Sequence, residues 1–250
     1  MPPHDHSNRS LPAVILAAGD GGRLEHLTAS APKALVRVAG RPLIAYTLDA
    51  ITANDITETV VVTGYRESEL RTALRESPLA PGLRFASNPH FREGSARSLA
   101  AARSFVGDRP FLLLMADHLF SSELVRSLLA AHPANPSDAS FVAADAADAH
   151  GPTYVAEATH LQIADGAVTA IGKGLVPFNG LDTGAFLFGP AVWQALDALP
   201  PDSELSAVCR QLIRRHQLRA VDVSGSFWYD VDTPEDLAAA ESLLAGRVSA

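Results

Sequence analysis

Arg23 and Lys33 stand ten residues apart in AAGDGGRLEHLTASAPKAL, a segment that carries Gly19, Gly21 and Gly22 directly after the apolar run Ala13–Ala17. Residues without side chains let backbone N–H groups close on a polyphosphate, and two spaced cations can neutralise its oxygens. The segment is neither of two familiar phosphate loops. Leu24 stands where the dinucleotide fingerprint needs its third glycine, and no Gly-Lys-Ser/Thr follows. Two further segments carry carboxylates. FLLLMADHLF (Phe111–Phe120) delivers Asp117 at the end of an apolar strand, where it can hold Mg²⁺ or simply serve as a turn or helix-cap aspartate. FWYDVDTPEDL (Phe227–Leu237) alternates Asp230 and Asp232, which share a face if the chain is extended. A helix opens at Pro234, so Asp232 and Thr233 read as its cap.

Such groups need a scaffold that brings distant segments to one edge. The runs AVILA, TVVVT, FLLLM and SFVAA are apolar on both faces, as central parallel strands covered by helices are, and LRFAS is a weaker fifth. Helices are expected around Ile44, Leu48 and Ile51, over Ser95–Phe105 and over Ser121–Ala131. This order predicts right-handed crossovers in an α/β, three-layer, Rossmann-like sheet. After residue 150 the chain turns β-rich. TYVAEATHLQIADGAVTAIGK reads as two strands joined at Asp165-Gly166, TGAFLFG as another, and RAVDV and FWYDV as two more. Helices are expected near Pro190–Leu196, over Ser203–Arg215 and after Pro234. These later strands should add antiparallel to the same sheet or to its edge, making it mixed. The stretch Ala131–Ser140 reads as a surface loop, and residues 1–11 as a flexible N-terminus of one 250-residue domain.

Composition removes several classes. A net charge of −8 with pI near 5.5 disfavours nucleic acid and anionic membranes as partners. One cysteine allows no intrachain disulfide and fits a reducing compartment, no apolar run is long enough for a membrane span, and the N-terminus lacks a signal-peptide core. A cytoplasmic protein is expected. Cys209 lies on an apolar helical stripe and reads as core.

LAAGDGGRL followed by PKAL resembles the signature of the sugar-phosphate nucleotidyltransferases, in which Leu16, Ala17, Ala18, Gly19, Gly21, Arg23, Leu24, Pro32 and Lys33 match every fixed position. The resemblance implies that Arg23 and Lys33 are catalytic, and that Leu16, Ala17, Ala18, Gly19, Asp20, Gly21 and Gly22 bind the nucleotide. It also assigns Gly94 and Ser95 of NPHFREGSARSL to the nucleobase pocket, although Ser95 equally suits a helix N-cap. Asp117 and Asp230 become a Mg²⁺ pair. MADH, IGKGL, LDTGAFLF and FWYDVDTPEDL narrow the resemblance to CTP-dependent inositol-1-phosphate cytidylyltransferases, over Pro12 to Leu244. Lys173, Asp182, Thr183 and Gly184 would then face a phosphorylated acceptor, with CTP as donor. Many such enzymes are fused to a membrane-embedded transferase; this chain, ending at Ala250 without an apolar span, is expected to be freestanding. Phosphocholine, phosphonates and sugar phosphates are the alternative acceptors. His118 is not needed as a base, because an anionic phosphate attacks unaided, and Lys33→Ala is expected to fold normally. A sensor that binds without catalysis should have lost Lys33 or the carboxylates. A dehydrogenase should carry an acid where Thr63-Gly64 stands.

Overall fold

The structure, a computed structural model, describes residues 11–24, 28, 31–77, 82–132 and 138–248. In chain order its strands are β1 (Ala13–Ala17), β2 (Arg37–Val38), β3 (Arg41–Pro42), β4 (Thr59–Thr63), β5 (Arg84–Ser87), β6 (Phe111–Met115), β7 (His118–Phe120), β8 (Ser140–Asp145), β9 (Thr159–Ala164), β10 (Ala167–Lys173), β11 (Gly180–Phe188), β12 (Leu218–Asp222) and β13 (Trp228–Asp230). The helices are α1 (Leu43–Thr52), α2 (Glu67–Arg75), α3 (Ser95–Val106), α4 (Ser122–Ala130), α5 (Pro152–Glu157), α6 (Ala191–Asp197), α7 (Leu205–Arg214) and α8 (Pro234–Val248).

Nine strands form one mixed sheet in the order β5-β4-β1-β6-β11-β8-β12-β10-β9. β5, β4, β1 and β6 run parallel, and the inner three, β4, β1 and β6, have the two-faced apolar sequences of covered strands. β6 and β8 are not neighbours, contrary to a simple parallel succession. β11 lies antiparallel between them, so the β-rich half supplies the middle of the sheet. Asp165-Gly166 does close the β9–β10 hairpin, with positive φ at both residues, the geometry of a type I′ turn.

Helices cover both faces. Ala13 and Ile15 of β1 pack toward α1, α2 and α4, with Ile44, Leu48 and Ile51 facing the sheet as their spacing predicts. Val14 and Leu16 pack toward α3, α6 and α7, where Cys209 is buried. A third, smaller cluster joins Leu24, Val36, Val38, Leu43, Leu119, Val231 and Ala240. It lies under the candidate site. Leu24 adjoins Arg23, Leu119 adjoins His118, and Val231 separates Asp230 from Asp232. Each large aliphatic buried there contributes about 1.5–3 kcal/mol, which anchors the charged neighbours that cannot bury themselves.

Several expectations change. Leu11, assigned to a flexible N-terminus, is 7% exposed and packs into the core; the rest of that segment lies outside the described residues. Residues 133–137 of the expected surface loop also lie outside them, while Ser140 is a buried strand residue. Thr153–Glu157, read as strand, is the helix α5: Gly151 precedes it and Pro152 occupies its first turn. β13 does not join the large sheet but pairs antiparallel with β7. No described helix is long and apolar enough to cross a membrane.

Candidate functional site

The glycine-rich segment leaves β1 at the C-terminal edge of the parallel strands, the edge where open α/β sheets bind ligands. Leu16, Ala17 and Ala18 are buried and set the start of the loop; the Ala18 carbonyl accepts from Tyr65 N at 2.9 Å. The Asp20 carboxylate accepts from Gly22 N at 3.3 Å and so braces the loop from within. Gly21 has φ +64, and a Cβ there would stand 2.8 Å from Lys33 Cβ. A side chain at Gly21 would therefore displace the cation that the segment delivers. A single helical turn, Gly22–Leu24, drops Leu24 into the third cluster and leaves Arg23 at the surface.

Lys33 is 8% exposed. Its ammonium donates to Asp117 Oδ2 at 2.7 Å and to Asp232 Oδ1 at 2.5 Å. Arg23 also pairs with Asp232. The β7–β13 ribbon sets His118 directly across from Asp230. One ligand atom from each of Asp117, His118 and Asp230 lies within 4.8 Å of the others. His118 Nδ1 is 2.8 Å from Asp117 Oδ1 and 3.5 Å from Asp230 Oδ1. Asp230 Oδ1 is buried and accepts no hydrogen bond among the described residues. Three segments, with Arg23 and Asp232 lying 209 residues apart, thus converge, and the predicted residues Arg23, Lys33, Asp117 and Asp230 are among those brought together.

The cluster sets three carboxylates against Lys33, Arg23 and an imidazole, and the titration of each group reflects that. Burial opposes the charge of Lys33, yet Asp117, Asp232 and Asp230 outweigh it and raise the ammonium above its ordinary range. Burial alone would raise Asp117, but Lys33 and His118 hold it well below the usual carboxylate range. Asp230 moves the other way: burial, with Asp117 and Asp232 nearby, pushes it up to about 7 despite His118 and Lys33. Burial works against the charge on His118, but Asp230 and Asp117 raise it to about 9. A cationic imidazole is not a general base.

A cleft of about 1380 Å³ opens from this cluster. Lys173, Asp182, Gly184 and Ser95 all line it. Lys173 is exposed at the end of β10. Asp182 sits at a register shift in β11, where Gly184 N donates to its Oδ1 at 2.9 Å; burial raises this carboxyl to about 6. Gly184 has φ +77, and a Cβ there would lie 2.8 Å from His118 Nε2, so the missing side chain makes room for the imidazole. Thr183 is a correction. It is fully buried on the opposite face of β11, and its hydroxyl donates to the Ala143 carbonyl at 3.0 Å. Strand alternation that exposes Asp182 to the cleft hides its neighbour. Ser95 does not cap its own helix. Its hydroxyl donates to Glu204 Oε2 at 2.5 Å and accepts from Leu205 N at 2.7 Å, so it caps α7, while Gly94 abuts the backbone of Asp202 and Ser203.

Asp232 was read as a cap, but its carboxylate belongs to the cation pair. Thr233 does the capping, accepting from Asp236 N while Asp236 Oδ2 accepts from Thr233 N. The alternation of Asp230 with Asp232 was the signal for both. Asp145, His150, Tyr154 and Trp228, which line the cleft beside Asp230, were not picked out, and no local pattern marks the first three.

A family model described as the MobA-like NTP transferase domain matches residues 13–222. The chain belongs to this family. The MobA-like NTP transferase match spans β1 to β12 and so contains the loop, Lys33, Asp117 and the strands β10 and β11. The bifunctional IPC transferase and DIPP synthase of Rubrobacter xylanophilus is 34% identical over 240 residues, covering 94% of this chain and 52% of that protein. The protein of the same name from Aquifex aeolicus is 30% identical over 234 residues, covering 93% and 51%. The chain therefore spans about half the length of these curated relatives. The solved inositol-1-phosphate CTP transferase from T. maritima superimposes with a TM-score of 0.82 at 22% identity, over 95% of this chain and 96% of that one. The nucleotidyltransferase fold expected from the sequence is the fold observed.

Proposed function

We propose that this MobA-like NTP transferase moves a cytidylyl group from CTP to myo-inositol 1-phosphate, giving CDP-inositol and pyrophosphate. The observation that carries the reading is the meeting of Lys33, Arg23 and three aspartates beside a cleft that Lys173 and Asp182 also line. An acceptor phosphate oxygen forms the new bond to the α-phosphorus, and the bond to the β-phosphate oxygen breaks. The acceptor is already anionic, so no side chain need remove a proton. The work left to the protein is alignment and charge neutralisation. Lys33, held charged by its carboxylates, and Arg23 face the triphosphate and the departing pyrophosphate. Lys173 meets the acceptor phosphate, and Asp182 accepts from ring hydroxyls beside Gly184.

Asp117 and Asp230 are the residues that would hold Mg²⁺. The buried Oδ1 of Asp230, which accepts no hydrogen bond among the described residues, and the carboxylate of Asp117 beside it are the hard-oxygen donor set that this ion prefers. When bound, the ion supplies positive charge at the reacting phosphates.

The relatives called IPC transferase and the fold shared with an inositol-1-phosphate CTP transferase support the acceptor. Phosphocholine is the competing choice. Scarcity of aromatics does not count against it, because Tyr154, Trp228 and Tyr229 do line the cleft. Their packing does. Tyr154 stacks on Tyr229 at 4.9 Å and on His150 at 5.1 Å, so these ring faces cover one another instead of walling a box for a quaternary ammonium. The substrates and the single buried cysteine suit a cytoplasmic enzyme.

The test is pyrophosphate release with CTP, UTP, GTP or dTTP against inositol 1-phosphate, glucose 1-phosphate, phosphocholine and a simple phosphonate. CTP with inositol 1-phosphate should give the highest kcat/KM. Turnover with another acceptor and none with inositol 1-phosphate overturns the acceptor; turnover with every nucleotide except CTP overturns the donor.

A further inference from the structure

Asp145 ends β8, and its side chain is 4% exposed. Every contact that satisfies it has been made from within. Oδ1 accepts from Ala146 N at 2.8 Å. Oδ2 accepts from the Trp228 indole N–H at 2.7 Å and lies 2.8 Å from His150 Nε2. Both side-chain partners lead to Asp230, and they meet on the way, since His150 and Tyr154 pack edge-on against Trp228. Trp228 stands two residues before Asp230 on β13, and its ring lies parallel to that of His118, 6.3 Å between centroids. His150 stacks on Tyr154, whose hydroxyl accepts from Asp230 N at 3.1 Å.

β13 is three residues long, stands outside the nine-stranded sheet and pairs with β7. Strand pairing alone fixes it on one side. On the other side its orientation depends on the Trp228 indole and the Tyr154 hydroxyl, and both trace back to one carboxylate. Groups that orient a metal-binding side chain from behind typically change metal affinity 10–100-fold when removed.

We propose that Asp145 is a positioning residue for Asp230: acting through Trp228 on one side and His150–Tyr154 on the other, it sets the reach of the Asp230 carboxylate toward a divalent cation shared with Asp117. This inference rests on the metal reading of Asp117 and Asp230 given above.

The test uses Mn²⁺ as the probe, titrated into the full chain without nucleotide and followed by electron paramagnetic resonance, with unfolding midpoints in EDTA measured in parallel. Asp145→Asn keeps the size of the side chain, and Trp228→Phe removes only the indole and its N–H. Each should weaken Mn²⁺ binding about 10–100-fold, and Asp230→Asn should abolish it. Wild-type Mn²⁺ affinity in both Asp145→Asn and Trp228→Phe overturns the positioning role, even where the midpoint in EDTA has fallen. Should Asp145→Asn not fold, the Trp228→Phe result decides alone. Unchanged Mn²⁺ binding in Asp230→Asn overturns the metal reading itself, a different failure with a different signature.

Discussion

Replacing Lys33 by methionine keeps most of the buried stem and deletes the ammonium. In the native protein that ammonium sits 2.7 Å from Asp117 Oδ2 and 2.5 Å from Asp232 Oδ1. At an effective dielectric constant of about 20, two unit charges at such separations attract by roughly 6 kcal/mol. Desolvation offsets much of this, and removing one partner of a buried pair costs about 3–5 kcal/mol in practice. Lys33→Met should therefore lose about 3–5 kcal/mol in guanidinium unfolding at pH 7.5. The sequence-based expectation of normal folding gives way to this larger effect. The pH dependence has a definite sign. Lys33 depresses Asp117 in the folded state, so the stabilisation is complete above the unfolded carboxylate value of 3.8 and fades as pH falls below it. The deficit of the variant should be full above about pH 5 and shrink toward pH 3. Turnover should fall on the order of 10²–10³-fold, as with loss of other groups aimed at transition-state charge. A variant as stable as wild type at pH 7.5 would refute the view that Lys33 holds the carboxylates together.

Arg23 is 58% exposed at its side chain, and Asp232 retains Lys33 when Arg23 is removed. Arg23→Ala should shift stability by no more than about 0.5 kcal/mol while lowering kcat; a large stability loss with full activity would invert its assigned role. Asp182 is raised by burial from 3.8 to about 6, so its proton-bound form is favoured on folding and its contribution is lost as pH rises through 6. Asp182→Asn should be more stable than wild type at pH 8, by roughly 3 kcal/mol at about 1.4 kcal/mol per pH unit, and equal to it near pH 4, with a raised KM for the acceptor. Denaturation at the two pH values checks the first part, since a pH-independent difference contradicts it. Gly184→Ala must place a methyl 2.8 Å from His118 Nε2 at φ +77. Its cost should be at least about 1–2 kcal/mol from the backbone alone, and an unchanged unfolding midpoint would show that the bulge and imidazole yield freely.

What the sequence revealed depended on whether the signal was local. The parallel strands were legible because TVVVT and FLLLM bury both faces, and the hairpin because Asp165-Gly166 suits positive φ. Arg23, Lys33 and Asp117 were singled out through the family resemblance that LAAGDGGRL, PKAL and MADH carry, since each segment alone also suits a plain loop or a cap. The place of β11 was not, since strand order is set by packing between segments and nothing inside GLDTGAFLF encodes its neighbours. Tyr154 was hidden for another reason: Thr153, Tyr154 and Val155 have strand propensity, and Pro152 at the helix start overrode it. α2 was passed over because Leu70 and Leu74 are its only buried residues. Thr183 was misjudged because a motif was treated as a block, when a strand shows only alternate residues to a cleft. Asp232 was misjudged because capping is a local role that its sequence position also satisfies.

The central placement of β11 has a consequence for how the chain comes off the ribosome. β6 is finished by Met115 and β8 by Asp145, but the strand that separates them ends only at Phe188. Both neighbours of β8, β11 and β12, lie after it in the chain. At about 5–20 residues per second, the nascent protein spends several seconds with one edge of FLLLM open and SFVAAD wholly unpaired. Both are apolar on two faces, and open edges of this kind recruit other chains. Translation across residues 146–188 is thus the interval in which a holding chaperone has most to protect, and the strand that carries Asp182 and Gly184 is the one whose arrival ends it.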